Sequence, residues 1–109
     1  TYRGRNYHPI VGADIVINAG VECFFADSPD GERAAHEVFA HELGHTLGLG
    51  HSCGDENAGE CTSTRENEAL MRAFAHDDGR GAALKAYDRA AICGLYRGKG
   101  ISNADCAAH

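Results

Sequence analysis

His41-Glu42-Leu43-Gly44-His45-Thr46-Leu47-Gly48-Leu49-Gly50-His51 is the stretch that decides how this chain reads. His41 and His45 are four residues apart, so on a helix both imidazoles leave from one face. Two nitrogens one turn apart can chelate a single Zn²⁺. Gly48 supplies the backbone freedom for a sharp turn after the helix, and His51 then returns as a third ligand. Three protein ligands leave one zinc position open for water, which is the catalytic pattern and not the closed structural one. Glu42 stands next to the first ligand, where a carboxylate reaches that water and takes its proton. Chance alone gives five such fixed positions about 2–3 times in ten thousand chains of this composition, for a motif whose mechanism is known.

Outward from this segment, Glu32 to about Gly48 reads as a helix. Ala34, Ala35, Val38, Phe39 and Leu43 form an apolar stripe at helical spacing. Residues 10–18 are rich in β-branched side chains and read as one well-buried strand. Cys23-Phe24-Phe25 reads as a further short extended piece. Residues 52–68 read as polar loop, and Ala69-Leu70-Met71 as a short apolar island. Leu84 to about Tyr96 reads as a second helix, with Leu84, Tyr87, Ala91 and Leu95 near one face.

The chain has 109 residues, 10 Lys plus Arg against 16 Asp plus Glu, and a net charge of −6. It is long enough for one domain. The acidic balance argues against a nucleic-acid or anionic-membrane partner, and no apolar run approaches a membrane span. Thr1–Arg5 carries no apolar signal stretch, so the first residue is expected to be a processing boundary. Five cysteines suit a secreted domain better than a reducing cytosol. The closest pair, Cys53 and Cys61, is the favoured disulfide. Cys93 with Cys106 would staple a tail to a helix and leave Cys23 over.

The segment His41–His51 resembles the extended zinc signature of the metzincin metallopeptidases. Ala69-Leu70-Met71 resembles their Met-turn, with Met71 beneath the metal. The closing Cys93-Gly94-Leu95-Tyr96-Arg97 is similar to the last helix of matrixin-like enzymes. Ser52 after the third His looks matrixin-like. Ala73 stands where some relatives carry a Tyr ligand, and the matrixin Pro after the Met is missing. The resemblance covers residues 10–97 and points to a bacterial-type, secreted member near the matrixin and reprolysin groups.

The resemblance implies an α+β fold of the zincin-like class across residues 1–109. It would be partial: one or two strands, the zinc-site helix, a Met-turn loop and a C-terminal helix, without the N-terminal sheet. It implies a zinc-dependent endopeptidase that acts on peptides or proteins. Its ligands would be His41, His45 and His51, its general base Glu42, and Phe74 a wall of the pocket for the residue after the scissile bond. The alternative is a zinc-binding module that holds no substrate without an N-terminal part of its own domain. Asp77, Asp78 and the acids of 55–60 offer oxygens of the kind Ca²⁺ takes, in no recognisable loop pattern, so solvated acidic loops are the expectation there. His76 is expected on the surface. His8, His36 and His109 show no partner pattern.

Overall fold

Residues 10–27, 30–76, 78–98 and 106 are described by the computed structural model. Four helices follow in order: α1 (Val21–Asp27), α2 (Gly31–Thr46), α3 (Thr64–Glu68) and α4 (Ala86–Tyr96). The expected helices over 32–48 and 84–96 are both present, with ends shifted by one or two residues. His8, Asp77 and His109 lie outside the described residues.

The expected strand over residues 10–18 is not formed. These residues are exposed, with Val11 97% accessible. A strand is held by a ladder to a neighbour, and β-branched propensity cannot replace one. Among the described residues no named strand is formed, and an isolated bridge joins Asp55 and Gly59. The described residues are therefore helix-rich with little β structure, which is compatible with the partial domain expected. Cys23–Phe25 is also corrected: it lies within α1, which starts from a turn in which the Val21 N–H meets the Asn18 carbonyl at 3.4 Å. α1 packs on α2 through Phe25 and Phe39, whose ring centroids are 6.1 Å apart.

The expected apolar stripe of α2 is only partly inside. Ala34 is buried, but Phe39 and Leu43 are exposed and border the open 10–18 segment. The face turned inward carries Ala34, Glu37 and Gly44. A Cβ on Gly44 would overlap the Met71 sulfur, so this glycine permits the close approach of Met71 to the helix. Met71 itself is fully buried.

Asp88, at the start of α4, organises this approach. Its carboxylate accepts the backbone N–H of Leu70 at 2.8 Å, of Met71 at 3.0 Å and of Lys85 at 2.9 Å. One buried charge thus satisfies three orphan donors, including one at the N-terminus of its own helix. At the other end of α4 the Tyr96 hydroxyl donates to the Leu47 carbonyl, the C-cap of α2. Ser52 and Cys53 pair with the Met71 segment, through Ser52 N–H to the Met71 carbonyl and Ala73 N–H to the Cys53 carbonyl, both 2.9 Å. The favoured disulfide Cys53–Cys61 is present, Cys93 pairs with Cys106, and Cys23 is free and exposed.

Candidate metal centre

His41 and His45 stand one turn apart on α2, and the chain then reverses. Leu47 caps the helix, and Gly48 takes φ +97°. A left-handed residue at this place satisfies the last carbonyls of a helix and turns the chain away from its axis. His51 follows within three residues and meets the other two. The three ring centroids are 4.8, 5.2 and 4.9 Å apart.

Each ring is held from behind. The Nδ1 of His41 lies 2.9 Å from the Leu70 carbonyl, and that of His45 lies 2.8 Å from the Leu49 carbonyl. The Nδ1 of His51 lies 2.5 Å from Asp55 Oδ2. Carbonyl and carboxylate oxygens only accept, so each Nδ1 carries the hydrogen and each Nε2 presents a lone pair. These are the outer partners that fix ring orientation in metal-binding histidines.

The Nε2 atoms of His41 and His45 face each other at 3.1 Å. With both hydrogens on Nδ1, no proton lies between them, and two lone pairs at that distance repel unless a cation draws on both. A tetrahedral ion with metal–nitrogen distances of about 2.0–2.1 Å holds its nitrogens roughly 3.3–3.4 Å apart, close to what is seen. One ligand atom from each of the three histidines lies within 4.8 Å of the others. The residues present therefore fit a metal ion. The His41 imidazole is held below its ordinary range, first by burial and then by neighbouring His45 and His51; the Leu70 carbonyl and Glu42 act the other way. The neutral form a metal requires is thus favoured.

Glu42 follows His41 on α2. It borders a cavity of 170 Å³ beside His41, lined also by Glu37, Val38, Leu70, Ala73 and Ala75. It also borders a second one of 210 Å³ beside His45, walled by residues 13–16. Phe74 is not among the lining residues of the first cavity. Phe74 is 67% exposed and lies over Gly54.

Two polar pairs were missed in the sequence. His76 is not on the surface: its side chain is 4% accessible and that of Glu37 2%. Glu37 Oε2 accepts both the His76 backbone N–H at 2.7 Å and its Nδ1 at 2.6 Å, while Nε2 meets the Asn67 carbonyl at 2.7 Å. This pair ties the segment after Met71 to α2, one turn before His41. Asp55 is the second. Its carboxylate is held below the usual range by the Ala58 N–H and then by His51. Its position four residues after His51 was the available signal. Asp78 is occupied by Arg80, whose guanidinium pushes its carboxyl down.

Searches of curated proteins and of solved structures each returned no match. The sequence model of the family described as metallo-peptidase family M12B, reprolysin-like, matches residues 12–94, most of the chain and the whole of the histidine segment. The protein belongs to the reprolysin-like M12B metallopeptidases.

Proposed function

We propose that this chain is a secreted zinc endopeptidase of the metzincin type, with residues 1–109 belonging to its catalytic domain. The convergence of three Nδ1-anchored imidazoles beside Glu42 is the observation that carries this reading. His41, His45 and His51 would hold the ion through their Nε2 atoms, and neutral imidazoles suit zinc. Zn²⁺ in this place supplies a Lewis acid that polarises the scissile carbonyl and acidifies a water.

Glu42 performs the proton transfers. Its carboxylate takes a proton from the attacking water as the water oxygen bonds to the carbonyl carbon. It then delivers that proton to the amide nitrogen as the carbon–nitrogen bond breaks. Met71 acts as the Met-turn residue: it packs against Gly44 between the two helical ligands, and the carbonyl before it, that of Leu70, orients His41. The 170 Å³ cavity beside His41 and Glu42 takes the side chain after the scissile bond, with Leu70, Ala73 and Ala75 as its walls. Two disulfides support an extracellular setting.

Glu42→Gln is the direct test. It is expected to bind one zinc per chain and to lose at least about 10²-fold in hydrolysis of a quenched-fluorescent peptide, the loss that removal of a general base brings. Unchanged turnover would sink the mechanism. The exposed 10–18 segment favours a second reading, a zinc-binding module that does not cut by itself. That reading predicts one zinc per chain and no chelator-sensitive cleavage of any peptide.

A further inference from the structure

The loop closed by Cys53 and Cys61 does more than cover the surface. It begins two residues after His51 and carries Asp55, whose side chain meets the His51 ring nitrogen. The other two histidines are oriented by main-chain carbonyls, of Leu70 and Leu49, which the fold fixes. His51 depends on a side chain instead, and the Asp55 side chain is 32% exposed. A half-exposed carboxylate has several rotamers open to it, and an ion pair in such a place is weak unless its geometry is imposed.

The loop imposes it. Asp55 Oδ1 accepts the Ala58 N–H at 2.6 Å, leaving Oδ2 turned to His51. The Gly59 N–H reaches the Asp55 carbonyl at 2.8 Å, and the Gly54 N–H reaches the Gly59 carbonyl at 2.7 Å. These bonds fold residues 54–59 back on themselves, and the disulfide ties the two ends. Cys53 is fully buried and anchored to Ala73, so the closed loop stands on the segment that also carries Met71.

We propose that Asp55 is the positioning residue of His51 and that the disulfide-closed loop is what holds it there, so that the affinity of the metal site is coupled to the Cys53–Cys61 bond. The proposal rests on the zinc reading above. Removing an outer partner of a metal-binding His typically weakens the metal by 10–100-fold. The loop adds that the loss is shared with the disulfide.

The test is zinc affinity of the full chain, measured by competition with a chromophoric chelator. The variants are Asp55→Ala, Asp55→Asn, the pair Cys53→Ser with Cys61→Ser, and the triple variant combining that pair with Asp55→Ala. Serine is used because freed thiols would bind zinc themselves. Circular dichroism and an intact Cys93–Cys106 bond, read by mass, verify the fold. Asp55→Ala is expected to weaken zinc about 10–100-fold. Asp55→Asn, which keeps an accepting oxygen, loses less. The serine pair weakens zinc in the same direction, and the triple variant is no weaker than Asp55→Ala, because both routes remove one interaction.

Parent-like affinity in Asp55→Ala overturns the proposal alone. If that variant fails to fold, parent-like affinity in the serine pair overturns it equally. Additive losses in the triple variant overturn the coupling. A parent chain that binds no zinc overturns the zinc reading and this proposal together.

Discussion

Asp88 shows how much a single buried carboxylate can hold. It is 0% accessible and receives three backbone N–H groups from two parts of the chain. Asp88→Ala would strand the Leu70, Met71 and Lys85 donors, two of them in the interior. A buried donor without its partner costs about 1–3 kcal/mol, so a loss near 3 kcal/mol or more is expected in urea unfolding. Asp88→Asn keeps one accepting oxygen and should lose less. Equal stability of Asp88→Ala and the parent would show that the Leu70–Met71 turn does not lean on α4.

His41 sets a pH dependence of defined sign. Burial, the largest cause, depresses its folded value. A group so depressed gives stability that is present above its unfolded value, about 6.5, and lost as pH falls through the folded one. The zinc-free chain is therefore expected to show a falling Tm as it is acidified below about pH 6.5. His41→Gln should flatten that part of the profile. An identical acid limb in the variant would assign it to other groups.

Elements were legible in the sequence where the physics is local. α2 and α4 announced themselves by spacing, and the three ligands lie within eleven residues joined by one helix and one turn. Residues 10–18 were misread because a β-branched run states a preference while its ladder is a tertiary fact. The pairs of Glu37 with His76 and of Asp88 with Leu70 lie 39 and 18 residues apart, and nothing in the spacing joins them. Asp55 was within reach of His51 but looked like any acid in a polar loop.

The turn after α2 can be tested as an element. Gly48 takes φ +97°, and an added Cβ would also meet Ile10 at 3.3 Å. Gly48→Ala is expected to cost roughly 1–2 kcal/mol, since L residues are strained in that region. The cost should appear in zinc affinity too, because the same turn delivers His51. A variant less stable but with unchanged zinc affinity would show that His51 is placed by its loop alone.

At the scale of the molecule, the interior is thin. The buried apolar residues described are Ala34, Leu49, Cys53, Ala69, Leu70, Met71, Cys93 and Cys106. Three are half-cystines and two are alanines, so little of this core is large side chain. Chains with small cores lean on disulfides and metals for their stability. Here the disulfides anchor the segment paired with Met71 and the end of α4, while His41 and His45 stand on α2 against that same Met71 segment. Three lone pairs are brought together at the end of α2 without internal compensation, and a bound cation relieves that repulsion in the folded chain only. Binding that favours the native state adds stability by mass action, about 2.7 kcal/mol when free zinc exceeds its dissociation constant a hundredfold. For a domain of this size each kcal/mol moves Tm by about 4–8 °C. Zinc at that excess should therefore raise Tm by roughly 10–20 °C over the chelator-treated chain. His45→Ala should abolish most of the shift. A Tm indifferent to zinc, in a chain that binds it tightly, would mean that the unfolded chain holds the metal as well as the folded one does. The helix would then contribute nothing to assembling the site.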